Sequence, residues 1–287
     1  MSSAEARSAV LSPGVHRITV DAAGIPLSGL LSTPALALPR ATVLALHGAG
    51  MSAGYFHGRA HPDVSLLSTA TRLGYAVLAL DRPGYGDSAD ALPDGQSLAE
   101  QAETIRAGLA DFTAGNEIGA GVFLLGHSFG GKLALTLATD NTTFLGVDVS
   151  GCGHLYAEDS LESKAWQRNW GDLQLYPPGT FARAGATVDS PPIQELVDAA
   201  AWPQTFAALA DRIRIPVRFS FAEQERWWRT DDAALADLVA MLRGAPRRGL
   251  TRVPRAGHNI SLGWAARAYH TSALAFFETC LLDRAAA

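Results

Sequence analysis

The chain has 287 residues, with 23 lysines and arginines against 28 aspartates and glutamates and a formal charge of -5. No electrostatic footprint of this kind draws a protein to nucleic acid or to an anionic membrane surface. A hydrophobic content of 48% excludes a disordered chain and supports a large buried core, and the length suits one α/β domain carrying an insertion, with a small, largely neutral molecule as its partner.

Met1 to Val10 lacks the basic and apolar regions of a secretion signal, and no later apolar run reaches the length of a membrane span, so a cytoplasmic protein is expected. Val15 to Val20 and Leu27 to Ser32 alternate polar and apolar residues around Ala23-Gly24, which predicts an opening hairpin. Thr42 to Leu46, Tyr75 to Leu80 and Val122 to Leu125 are nearly continuous apolar runs, the pattern of strands covered on both faces. Helical stretches at Val64 to Leu73 and Leu98 to Thr113 separate them, and Phe144 to Val149 predicts a further strand. From Gly151 to about Asp211 the chain carries Trp166, Trp170, Tyr176, Trp202 and the pairs Pro177-Pro178 and Pro191-Pro192 without a clear strand; this segment reads as a helical lid. A strand at Val217 to Phe221, a helix at Asp231 to Arg243, a strand at Leu250 to Val253 and a helix from Trp264 to Leu282 complete the order. The expected class is α/β: a mostly parallel eight-stranded sheet flanked by helices, with a core of residues 1-150 and 212-287 and a lid, 151-211, inserted after strand six.

Gly126-His127-Ser128-Phe129-Gly130 is a G-x-S-x-G pentapeptide at the point where Val122 to Leu125 gives way to the helical pattern Lys132 to Ala138. A serine in so tight a strand-to-helix turn needs glycine on either side, and the turn lifts its hydroxyl above the carboxyl edge of the sheet. The helix N-terminus beneath it favours developing negative charge. A serine hydroxyl is a weak nucleophile at neutral pH, so a base must take its proton, and histidine has the pKa closest to that task. Eight histidines compete. His127 adjoins the serine, but neighbours in such a turn point in different directions; His47 reads as structural. His57 and His61 have the spacing of a helical metal pair, yet Pro62 interrupts any helix and no third ligand is near, so they read as surface residues. His258 follows the last strand after a short loop, Pro254 to Gly257.

His47-Gly48-Ala49-Gly50 after one strand, Asp81-Arg82-Pro83-Gly84-Tyr85-Gly86-Asp87-Ser88 after the next, the Ser128 turn, and Gly257-His258-Asn259 near the end together resemble the α/β-hydrolase family. The resemblance runs from about Val15 to Leu282, the lid excepted. It implies Ser128 as nucleophile and His258 as general base, which follows the serine and the acid in the family order. It also implies an oxyanion hole built from the backbone N-H groups of Ala49 and Phe129, with Gly50 or Met51 in place of Ala49 if the loop turns differently. The family places an apolar strand, a glycine and then an aspartate after the segment that is Ile215-Pro216-Val217 here; this chain has Phe221-Ala222-Glu223-Gln224-Glu225. Glu225 aligns with the aspartate, and glutamate can orient the histidine equally. Asp148, on the preceding strand, is the alternative acid, because some family members move it there, and Glu223 reads as a surface residue. Asp81 and Arg82 read as braces of their loop, Asp87 and Ser88 as caps of the next turn. No metal or organic cofactor is implied.

The expected reaction is hydrolysis of an ester of a small, largely apolar substrate through an acyl-enzyme. Serine at the turn, where aspartate would be needed, speaks against haloalkane dehalogenase and epoxide hydrolase chemistry. A thioesterase or acyl transferase acting on a carrier protein, or a carbon-carbon bond hydrolase, in secondary metabolism, is the alternative. A ligand-binding protein or cyclase that uses the pocket without a nucleophile is the alternative of another class. Arg243, Arg247 and Arg248, the dense basic cluster, read as a solvated helix end. The lid aromatics, with Trp227 and Trp228, either line an acyl pocket or are core. Cys152 and Cys280 have neither zinc nor redox spacing and read as free thiols of a reducing compartment.

Overall fold

The computed structural model describes residues 11–35, 37–158, 165–183 and 190–286. The chain opens with β1 (Val15–Ala22) and β2 (Ile25–Ser32), joined by Ala23 and Gly24 at φ 54° and 91°. Two consecutive positive φ values make the tight turn whose twist matches that of the flanking strands. There follow β3 (Thr42–Leu46), α1 (Leu66–Arg72), β4 (Ala76–Leu80), α2 (Leu98–Gly115), β5 (Val122–His127), α3 (Phe129–Ala138) and β6 (Val147–Ser150). Between β6 and β7 lie α4 (Ala165–Trp170), α5 (Thr180–Arg183) and α6 (Ile193–Leu209). The chain closes with β7 (Val217–Gln224), α7 (Asp232–Met241), β8 (Arg248–Gly257) and α8 (Ala266–Ala285). Among the described residues eight strands form one sheet in the order β1-β2-β4-β3-β5-β6-β7-β8. β3 to β8 pair in parallel, and β1 and β2 add antiparallel.

Side chains alternate across each strand, so one apolar run feeds two cores. Leu44, Leu46, Leu78 and Leu80 face Ile105 and Phe112 of α2 and Leu133 and Leu137 of α3. Val43, Ala45, Val77 and Ala79 face Leu66 and Leu67 of α1 and Leu274 and Phe277 of α8. Every residue of β3, β4 and β5 is buried as a result. The segment between β6 and β7 is divided between the two cores: Trp202 and Phe206 join the first, Trp170 and Tyr176 the second. These aromatics are therefore core residues, while the side chain of Trp166 lies outside the described residues.

Two expected boundaries move. β6 begins at Val147, where its ladder to Leu124 starts, and Phe144 packs ahead of it. The strand expected to end at Val253 runs on through Pro254 to Gly257, so the expected loop is part of β8. Among the described residues β8 lies at one edge of the sheet, paired with β7, and an edge tolerates the missing N-H of proline. The register against β7 shifts between Ala222 and Gln224.

Parallel pairing brings the strand ends to one edge. Leu46 lies beside Gly126, His127 beside Ser150, Ser150 beside Ser220, and Gln224 beside Gly257. His47, Ser128, Gly151, Glu225 and His258 each follow directly on one of these residues. No helix among the described residues is long and apolar enough to cross a membrane.

Candidate active site

Ser128 sits between β5 and α3 at φ 52° and ψ -116°. A non-glycine residue at positive φ costs about 1–3 kcal/mol, and the surroundings must enforce it. Its N-H donates to Ser150 O at 2.8 Å, and its carbonyl accepts from Gly131 N at 2.9 Å. A Cβ on Gly130 would strike Leu46 O, and one on Gly126 would strike Gly130 O, so the turn closes this tightly only with glycine at both positions.

His258 follows β8 directly. Its Nδ1 lies 3.0 and 2.9 Å from the two carboxylate oxygens of Glu225, and both side chains are buried, at 4% and 0% exposure. Glu225 Oε1 also accepts from the backbone N-H groups of Arg226 at 3.1 Å and Trp227 at 3.0 Å. The turn that aims it is closed by Glu225 N donating to Ala222 O at 3.1 Å. Ala222 remains within β7 and adopts no positive φ, which is why this loop needs no glycine there. Glu223 is exposed and accepts from Arg255 N at 2.6 Å, which fixes a residue of β8 at φ 53°.

The structure does not bring Asp148, the alternative acid, to His258. It is the second residue of β6, fully buried, with Oδ2 2.5 Å from Arg218 Nε and Oδ1 accepting from Tyr269 Oη at 2.7 Å. Arg218 Nη1 goes on to donate to Ser272 O at 2.7 Å and Oγ at 2.6 Å, so this carboxylate anchors α8 to the sheet.

The loop after β3 passes against the serine: a Cβ on Gly48 would lie 3.2 Å from Ser128 Cβ. Gly50 N donates to Tyr85 Oη at 2.9 Å and Met51 N to Gly48 O at 3.3 Å. The N-H groups of Ala49 and Phe129 have no acceptor among the described residues, which leaves these two available to a ligand oxygen. Ser128 Oγ likewise has no hydrogen-bond partner among the described residues, and Glu225 occupies only the Nδ1 side of His258.

The other histidines are placed by packing. His127 stacks on Tyr55 at a ring distance of 4.6 Å, with Nδ1 3.1 Å from Ser150 Oγ and Nε2 3.3 Å from Asn259 Oδ1. Burial, then the neighbouring His258, hold its pKa well below the usual range. His47 Nε2 accepts from Arg82 N at 3.0 Å, so its Nδ1-H donates to Gly48 O at 2.8 Å; burial and then Arg82 keep it neutral. His57 is buried, not a surface residue: its Nδ1 lies 3.3 Å from Ser65 Oγ, and Nε2 accepts from Ser12 N at 3.4 Å. Cys152 and Cys280 are free and buried, and burial pushes the Cys152 thiol up to about 12.

The segment between β6 and β7 packs onto this edge through Asn169. Asn259 Nδ2 donates to Asn169 O at 3.0 Å, and Trp227 Nε1 donates to Asn169 Oδ1 at 2.7 Å. The Trp227 ring lies 6.3 Å from that of His258, while Trp228 is buried and donates to Gly151 O at 2.7 Å.

Besides Arg218, two buried charges among the described residues have no counterpart in the sequence reading. One is Glu195, paired with Arg82. The other is Lys132, one turn beyond Ser128 on α3, whose Nζ donates to Tyr156 Oη at 2.8 Å and faces the rings of Phe129, Tyr156, Trp202 and Trp228 at 5.3 to 5.7 Å. Neither had a signal, because a lysine in a helix ordinarily reads as its solvated face. Burial pushes Lys132 from the usual 10.5 down to about 8. Between these values the unfolded chain holds the proton more tightly than the folded one, so stability rises with pH across that window. Urea unfolding at pH 7 and 9.5 is expected to show the native chain gaining about 2 kcal/mol relative to Lys132→Met; a constant difference between the two proteins would contradict this.

A mostly parallel sheet covered on both faces places this protein in the α/β class, with a serine at a positive-φ strand-to-helix turn and a histidine-carboxylate pair on the same edge. The profile of the alpha/beta hydrolase family matches residues 43–269, and the chain belongs to that family. Its structure is similar to a soluble variant of monoglyceride lipase from Saccharomyces cerevisiae, at 14% identity over 95% of this chain and 97% of that one, with a TM-score of 0.69. It is similar to a thermostable carboxyl esterase from Bacillus coagulans, at 15% identity over 94% and 99%, with a TM-score of 0.67, and to Est1E from Butyrivibrio proteoclasticus, at 16% identity over 93% and 99%, with a TM-score of 0.59. At these identities the likeness establishes the fold. No match to the sequence was found among curated proteins.

Proposed function

We propose that this chain is a serine hydrolase that cleaves carboxylic esters through an acyl-enzyme. The observation that carries the reading is the His258–Glu225 pair, buried at the same sheet edge as a strained serine. Ser128 Oγ attacks the ester carbon and its proton passes to His258 Nε2, while Glu225 holds Nδ1-H and stabilises the imidazolium that forms. The N-H groups of Ala49 and Phe129 bind the tetrahedral oxyanion, a pair of donors worth several kcal/mol at the transition state. Collapse breaks the bond to the alcohol, which leaves with the proton from His258. Water then attacks the acyl carbon with His258 as base and releases the acid, and no cofactor enters.

The similar structures named as lipase and esterase support an ester over other acyl substrates. Residues 151-211 serve in this reading as a lid, supported by the contacts of Asn169 with Asn259 and Trp227. The basic cluster gives a carrier-bound thioester no support: Arg248 begins the strand that ends beside His258, and Arg243 and Arg247 pair with Asp211 and Asp283. A ten-residue strand separates that cluster from the site by about 30 Å. A small-molecule substrate and a cytoplasmic location belong to the same reading.

The test is pre-steady-state hydrolysis of 4-nitrophenyl esters. The native chain is expected to give a burst of nitrophenol approaching one equivalent and Ser128→Ala none. Faster turnover of pantetheine thioesters than of oxygen esters would replace the ester assignment, and retained ligand binding without any burst would replace the enzymatic one.

A further inference from the structure

Arg82, two residues beyond β4, and Glu195, in the first turn of α6, are 113 residues apart in sequence and almost completely buried, at 0% and 1% exposure. Both guanidinium nitrogens engage the carboxylate: Nη1 donates to Oε1, and Nη2 donates to Oε2 at 3.1 Å. The remaining donors of Arg82 are shared between the loop after β3, with Nε donating to His47 O at 2.8 Å and Nη2 to Gly48 O at 3.3 Å, and α2, where Nη1 also donates to Gln101 Oε1 at 2.9 Å. Glu195 has a second arm. Its Oε2 accepts from Tyr85 Oη at 2.9 Å, and that same oxygen of Tyr85 accepts from Gly50 N at 2.9 Å. One carboxylate from the insertion therefore holds the backbone on both sides of Ala49, through Arg82 before it and through Tyr85 after it.

Stability does not explain this arrangement by itself, since apolar residues of similar volume commonly replace a buried ion pair without loss. What an apolar pair could not do is grip two carbonyls and, through a phenol, one N-H of the loop that carries the free Ala49 N-H. We propose that Glu195 is a positioning residue for the oxyanion hole, which makes the seating of α6 a condition for catalysis. The proposal rests on the serine-hydrolase reading. A donor displaced by about 1 Å loses much of its effect on rate, on the order of 100-fold, and it does so at the transition state while leaving ground-state binding nearly unchanged.

The experiment compares the native chain with Glu195→Gln, which keeps the shape and removes the charge, and with the double variant Arg82→Met/Glu195→Leu, which removes the pair without stranding a charge. Active sites are counted by fluorophosphonate titration, so that loss of folded protein does not count as loss of rate. Both variants are expected to show kcat per site lower by about 10- to 100-fold, with KM changed by less than about 3-fold. Affinity for an aryl trifluoromethyl ketone, whose hemiketal oxygen takes the oxyanion position, should fall by the same factor as kcat. The double variant is expected to keep a near-native thermal midpoint. A folded double variant with native kcat per site and native ketone affinity would overturn the proposal alone. A native chain with no titratable serine would overturn the hydrolase reading and this inference with it.

Discussion

Glu225→Gln is expected to lower kcat on 4-nitrophenyl esters by about 10³- to 10⁴-fold with little change in KM. The reason lies in the hydrogen bonds of the carboxylate. Oε1 accepts from the N-H groups of Arg226 and Trp227, so the glutamine oxygen is held at that position, and its NH2 takes the place of Oε2, the nearer of the two oxygens to His258 Nδ1, at 2.9 Å against 3.0 Å. A donor facing Nδ1 turns that nitrogen into an acceptor and moves the ring proton to Nε2, the nitrogen that receives the proton of Ser128 in the proposed mechanism. Shape and fold are preserved, while the base is held in the wrong tautomer. The double variant Asp148→Asn/Arg218→Met should keep kcat within a few-fold of native, because Asp148 is engaged by Arg218 and Tyr269 and not by His258. A small effect of Glu225→Gln combined with a large one of the Asp148 double variant would reassign the acid.

The second large effect is on stability. Arg218→Met is expected to cost about 3–5 kcal/mol in urea unfolding, because it strands the fully buried Asp148 with Tyr269 as its remaining partner. Removing the second charge as well should return most of that loss, since neither partner is then left uncompensated. A midpoint for Arg218→Met within about 1 kcal/mol of native would mean that solvent reaches the pair.

The fold was legible wherever burial alone dictates sequence. β3, β4 and β5 are apolar at nearly every position because helices cover both faces, and the opening hairpin announces itself through Ala23-Gly24 and its alternating flanks. The turn at Ser128 was legible for a steric reason, since Gly126 and Gly130 leave no room for a side chain. Pro254 concealed the last turn of β8, because a proline ordinarily ends a strand and the sequence does not announce which strand lies at the edge. His57 read as exposed because Pro62 interrupts any helix there, whereas Ser12, 45 residues before it, and Ser65, eight after it, hydrogen-bond its buried ring. Glu195 was beyond sequence reasoning: its neighbours Ile193, Leu196 and Val197 are exposed apolar residues, so the helical pattern there is inverted, and its partner lies 113 residues away. Side chains that act through distant partners leave no local period for a sequence to reveal.

The measurement that bears most directly on the central claim is intact-mass labelling with a fluorophosphonate, followed by peptide mapping of the adduct. A single adduct is expected on Ser128, absent in Ser128→Ala, strongly slowed in His258→Ala and Glu225→Gln, and near the native rate in Asp148→Asn/Arg218→Met. An unlabelled native chain, or an adduct that persists at the native rate in Ser128→Ala, would contradict an activated serine at this site.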